Sequence, residues 1–233
     1  MLDGRRRQAA ILLLVPAAVV GVSLAGCTSS SSHSSGASLS AAAKGDSFSA
    51  SKLRAALLTR VNGVGATSPA ASGDFTAISA HTAGQSAGGA PKACAEAIQT
   101  GLDSAALAGA TAASVTFKLG GNDVSELVAA APGTVAASAL AGRLPASCAH
   151  YKETVDGKPV SYSVTDSSLT GIGKQAKVMN VAPAAGGQGA LWSLVYRGAG
   201  FVGAVTVVGP NASQTAVREL GQQAYEYAAK SLS

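Results

Sequence analysis

Aromatic residues are scarce, with four Phe, five Tyr and one Trp in 233 residues. So few rings argue against a carbohydrate platform built on stacked aromatic faces. Histidine is scarcer still, and beyond His33 the chain holds only His81 and His150. Any metal centre or His-based triad in the body of the chain must use one of these two, and neither lies in a ligand-spaced cluster. Charged residues are thin at 12%. The basic ones are scattered from Lys44 to Lys230 without a cluster, so the charged stripe of a nucleic-acid interface is missing and no nucleic-acid partner is expected. The chain has no internal repeat and no Gly-x-Ser-x-Gly elbow, which speaks against a hydrolase of the common α/β type. Gly171-Ile172-Gly173-Lys174 lacks the spacing of a phosphate loop, and Gln175 stands where a hydroxyl would meet magnesium, so it reads as a plain loop. No cofactor, metal site or catalytic residue is expected.

What the chain does have begins at its start. Arg5-Arg6-Arg7 precede an almost wholly apolar run from Ala9 to Leu24, followed by small residues, the pattern of a secretory signal peptide. A membrane-spanning helix is the weaker reading, because the run barely reaches the roughly 18 residues a span needs and Pro16 interrupts it. Arg6-Arg7 hint at a twin-arginine route, but Ala9-Ala10 follow where that signal wants a bulkier pair, so general secretion is expected. Leu24-Ala25-Gly26-Cys27 then resembles the processing box of a bacterial lipoprotein. That resemblance implies an acylated Cys27 as the first mature residue, carrying palmitate-like chains that hold the protein on the outer face of the cytoplasmic membrane. Two or three such chains anchor stably where one does not, since each buried methylene contributes about 0.8 kcal/mol.

Removing residues 1–26 takes away three arginines and Asp3, leaving 14 basic and 11 acidic residues, close to neutral. Residues 28–47 are Ser, Ala and Gly with hardly a large apolar side chain, and read as a flexible tether. About 185 residues remain from Phe48, enough for one domain with a real core. The expected organisation is therefore a signal peptide over 1–26, an acylated cysteine and tether over 27–47, and a single extracytoplasmic α+β domain over 48–233. Cys94 and Cys148 form an even pair in an exported domain and read as a disulfide, with a redox couple or metal site as the alternatives.

Within the domain, Ser49 or Ser51 can cap a helix bearing Leu53, Ala56, Leu57 and Val61. Residues 63–73 read as a loop, 75–82 as a strand, 83–90 as a second loop, and 92–102 as a helix opened by Pro91. Ser114 to Leu119 alternates as a half-buried strand stopped by Gly120-Gly121, and Asn122 or Asp123 then caps a short helix through Ala130. After Pro145 the pattern turns to strands at 148–155 and 160–165, flanking Asp156-Gly157 as a hairpin, and at 177–182, 191–196 and 201–208. The last is apolar on both faces and predicts a central, doubly covered strand. Pro210-Asn211-Ala212-Ser213 opens a closing helix whose expected stripe is Val217, Leu220, Ala224, Tyr227 and Ala228, weakened by Gly221. The expected fold is an antiparallel sheet of about five strands covered by helices, with the C-terminal helix packed on it.

Three further features invite a functional reading. Asp123 and Glu126 fall one turn apart at the expected helix start, where they favour the helix dipole rather than form a catalytic pair. Trp192, Leu194 and Tyr196 share one strand face and read as core packing ahead of a ligand platform. Asn211-Ala212-Ser213 matches a glycosylation sequon but more simply begins a helix. From Leu144-Pro145-Ala146-Ser147-Cys148 through Trp192 and Arg197-Gly198 to the closing helix, the chain resembles the PknH-type extracellular sensor domain. That resemblance implies a helix-backed antiparallel sheet with a cleft and a disulfide from an early cysteine to one ahead of the hairpin, and it assigns no ligand residue. The expected function is a membrane-anchored lipoprotein that binds a small molecule, a lipid or an envelope protein. The alternatives are an envelope structural or interaction protein and a hydrolase using His150.

Overall fold

The computed structural model describes residues 48–83, 94, 98, 101–155, 157–185 and 190–233. The signal peptide, Cys27 and the tether lie outside the described residues. So does most of the helix expected over 92–102; Cys94 and Ile98 are described and helical, whereas Gly101, at a φ of 62°, and Leu102 lie in a bend outside any helix.

The chain enters through α1 (Ala50–Ala55), capped by the Ser49 hydroxyl, which accepts the Lys52 N–H at 3.3 Å. A two-stranded hairpin, β1 (Arg60–Val61) and β2 (Val64–Gly65), follows. Next come β3 (Ala71–Asp74), α2 (Phe75–Ala83), β4 (Thr111–Leu119), β5 (Asn122–Ala130) and α3 (Gly133–Ala141). A short 3-10 turn (Ala146–Cys148) leads into β6 (His150–Val155), β7 (Lys158–Leu169), β8 (Gln175–Pro183), β9 (Ala190–Arg197), β10 (Phe201–Gly209) and α4 (Gln214–Leu232). Eight strands form one antiparallel sheet in the order β3-β4-β5-β10-β9-β8-β7-β6. It is two meanders, β3 to β5 and β6 to β10, sealed where β5 pairs β10 from Phe201↔Ala130 to Val208↔Asp123.

The α+β architecture and the helix packed on the sheet are as expected, but the sheet has eight strands rather than about five. One reason is β5, where a helix was expected. Val124, Leu127 and Val128 suit a helical stripe, but Gly120 and Gly121 both adopt positive φ (56° and 86°) and turn the chain back against β4. Two successive left-handed residues are what a tight hairpin requires, and few residues but Gly take them. A second reason is β3, which lies partly in the stretch read as a loop and pairs with the first half of β4. Residues 75–82, read as a strand, are instead helix α2. Its start is fixed by Asp74, whose carboxylate accepts the Thr76 N–H at 2.9 Å.

On one face of the sheet, Val124, Val128, Leu194, Tyr196, Val205 and Val207 pack against Leu53 and Leu57 from the α1 region and Val217, Ala224 and Ala228 of α4. Ser213 caps α4, accepting the Ala216 N–H at 3.2 Å. The α4 stripe differs from expectation at two positions. Tyr227 is exposed, one step past the edge of the buried arc, while Gly221 is buried in its centre. A Cβ at Gly221 would stand 2.7 Å from Leu194, so glycine lets the helix lie close on β9 rather than weakening it. On the other face, Leu127, Ala129, Val195, Val202 and Ala204 meet Phe75, Leu102, Leu107, Ala136 and Leu140. A third cluster surrounds Cys94 and Cys148 and includes Ile98, Val164, Met179, Val181 and Leu191.

Candidate cleft on the disulfide face

Cys94 and Cys148 are both buried, with their sulfurs 2.04 Å apart and their Cα atoms 5.5 Å apart. The pair is at disulfide distance, as cysteine parity predicts. Cys148 belongs to the turn ahead of β6 rather than to the strand itself.

Two segments near these cysteines in sequence, one after Cys94 and one before Cys148, form walls of a cleft. One wall is Gly101 to Ala105 and the other is Gly142 to Pro145, with Asp166, Lys177 and Met179 of β7 and β8 completing it around a volume of about 390 Å³. The first wall is a self-braced turn. The Asp103 Oδ1 accepts the Ala105 N–H at 3.0 Å and the Ala106 N–H at 3.4 Å, and the Asp103 N–H donates to the Ala139 carbonyl of α3 at 2.9 Å. The second wall leaves α3 at Gly142, where a Cβ would press on Asp103 at 3.0 Å, so the walls meet tightly at the cleft's end. Lys177 spans from the sheet to that wall, its Nζ donating to the Gly142 carbonyl at 3.0 Å.

The floor is apolar, with Leu102 and Met179 nearly fully buried. The rim carries Arg143, Asp103 and Asp166, all exposed. Lys177 is half-buried. Burial pushes its ammonium below the ordinary lysine range, and the Asp166 charge acts in the opposite direction. The arrangement is an open concavity with an apolar base and four charged residues, two of each sign, around it.

The other residues singled out by sequence do not converge on this cleft. His81 and His150 are exposed and lie on α2 and β6. Trp192, Leu194 and Tyr196 pack into the core under α4, as their spacing predicts. The Gly171 to Lys174 loop buries Ile172 in that core, and the Lys174 N–H donates to the Arg197 carbonyl at 2.9 Å. The Asn211 side chain donates to the Gly120 carbonyl at 2.9 Å, tying the start of α4 to the β4–β5 turn. Asp123 and Glu126 do not flank a helix start. They stand on strand β5, three residues apart and so on opposite faces. Asp123 pairs with Lys118 at 2.6 Å in solvent, whereas Glu126 is buried at 1% exposure.

Glu126 is the feature that sequence reading placed in the wrong setting. Its Oε2 accepts the Leu58 N–H at 2.9 Å, joining the segment after α1 to the sheet, and its Oε1 has no partner. Burial pushes its pKa up to about 8, opposed by the Leu58 hydrogen bond. The Tyr196 hydroxyl is likewise buried without a partner, and burial together with the Glu126 charge holds it well above the ordinary tyrosine range. Its ring lies over Gly203, where any side chain would collide with it. The ring also meets Phe201 and Tyr225 edge-on at 6.4 and 5.7 Å.

Among the described residues, no helix is long and apolar enough to cross a membrane, and no cluster of three or more His, Cys, Asp or Glu is arranged to hold a metal ion. No family model, no curated protein and no solved structure matches this chain.

Proposed function

We propose that this is a lipid-anchored extracytoplasmic protein whose domain holds a small molecule in the cleft between residues 101–105 and 142–145, by binding alone. The lipoprotein-like box at Leu24-Ala25-Gly26-Cys27 supports the anchoring. A cysteine pair at bonding distance agrees with an oxidising compartment. The observation that carries the binding reading is the cleft itself, a concavity of about 390 Å³ with Leu102 and Met179 beneath a half-buried lysine. That volume falls within the few hundred cubic ångströms typical of ligand pockets.

Native mass spectrometry of the purified full chain and of a Ser104→Trp variant, which fills the cleft, tests the binding. A small molecule retained by the parent and absent from the variant is the expected result, with unchanged circular dichroism showing that the variant is folded. Equal retention by both, or by neither, would remove the cleft from the account. The anchoring is tested separately by mass spectrometry of the purified protein's N-terminus, where an acylated Cys27 as first residue is expected and a mass that retains Arg5 to Arg7 would overturn it.

A further inference from the structure

We propose that the cleft takes a small organic monoanion, a carboxylate with a compact apolar body, seated on the Lys177 ammonium beside Arg143. This rests on the reading of the cleft as a binding site. An ammonium has three donors, and the Gly142 carbonyl uses one, which leaves two N–H groups of Lys177 for another acceptor. Among the described residues the close ion pair is Lys118 with Asp123, and Lys177 is in none. A half-buried cation without a contacting carboxylate is poorly solvated, and an incoming anion supplies the missing partner.

The two acidic groups of the cleft do not fill that role. Asp103 has its Oδ1 committed to the backbone of its own turn, and Asp166, whose charge favours the charged lysine from a distance, makes no ion pair with it. An alkylammonium would bring a second positive charge against Lys177 over an apolar floor. A phosphate dianion would find only Lys177 and Arg143 as cations and would offer no apolar surface to the lining of Leu102, Leu144 and Met179. A monocarboxylate matches both halves of the cleft.

Equilibrium dialysis of the full chain carrying Cys27→Ala, which removes the acylation site, distinguishes these cases with hexanoate, hexan-1-ol, hexylamine and inorganic phosphate as probes. Hexanoate should bind at least about tenfold more tightly than the other three. Lys177→Gln should weaken hexanoate about tenfold, and Lys177→Arg, which keeps the charge, should retain most of the affinity. Hexanol or hexylamine binding as well as hexanoate, and lost on Ser104→Trp, would overturn the anion class while leaving the cleft as a binding site. Phosphate binding in preference to hexanoate would overturn the carboxylate assignment. Hexanoate binding unaffected by Lys177→Gln, or no hexanoate binding at all, would overturn the inference.

Discussion

On the face of the sheet that α1 and α4 cover, the packing side chains are large and the cover is continuous. Tyr196, Phe201 and Leu194 lie fully buried under a helix of 19 residues. On the opposite face many of the packing residues are small, including Ala112, Ala129, Ala131, Ala136 and Ala139, and the cover is assembled from short pieces. Helices α2 and α3 are nine residues each, with the turn after Gly101 between them in the chain. A long amphipathic helix can close a face by itself, whereas short elements leave seams. The cleft is the seam between the turn, the end of α3 and strands β7 and β8. One sheet thus carries a closed face under one long helix and a more open face, where shorter covering elements leave a cleft. Substitutions on the two faces should separate stability from binding.

The largest expected effect falls on the open face. Closing a loop of 54 residues stabilises by about 4 kcal/mol in the chain-entropy account, so reducing Cys94–Cys148 should lower the denaturation midpoint by several degrees. It should also loosen both cleft walls, which adjoin the bridge. Two reactive thiols in the denatured, unreduced protein would show that the bridge is absent.

On the closed face, Leu220→Ala should cost about 2 to 5 kcal/mol in chemical denaturation, because Leu220 is buried against the sheet. Gln222→Ala, one residue pair further round the helix, should be nearly neutral. Equal effects would mean that α4 presents a different face to the sheet.

Glu126 gives the closed face a pH dependence. Its folded pKa of about 8 lies above the ordinary carboxylate value of 4.5, so its contribution is fully present below the unfolded pKa and is lost as pH rises through the folded one. Stability should therefore fall between about pH 4.5 and 8. Glu126→Gln should flatten that slope, and an unchanged slope in the variant would place the titrating group elsewhere.

The smallest effect on stability is expected from Lys177→Met. It removes a single half-buried hydrogen bond worth about 1 kcal/mol. Thermal melting should move little, while ligand retention should be lost.

Much of the closed face was legible in the sequence. Phe201 to Val208 is apolar on both faces except at Thr206 and is the doubly covered β10, and Ser213 caps α4 as its residue type suggests. Gly157, at a φ of 75°, lies between β6 and β7 as the Asp156-Gly157 signal predicts. What was not legible has a physical reason in each case. Val124, Leu127 and Val128 satisfy helical spacing, and only the paired positive φ at Gly120-Gly121 reveals a hairpin. Phe75 to Ala83 has no clear helical stripe, so the Asp74 cap was the sole local cue for α2. The burial of Glu126 depends on the segment after α1 folding over β5, 68 residues away in sequence at the Leu58 contact. The cleft was the least legible feature. Gly101, Gly142 and Lys177 acquire meaning only when a disulfide, a turn and two strands bring them together. The cysteine pair that lies near its walls in sequence was the one part that composition could announce.

The account stands or falls on which face receives a ligand. Amide chemical shifts of the ¹⁵N-labelled full chain carrying Cys27→Ala, recorded before and after removal of its retained small molecule, test this directly. The predicted result is movement at Gly101, Ser104, Gly142 and Arg143, with Gly221 and Ala224 of α4 unmoved. Movement confined to the α4 face would contradict the account.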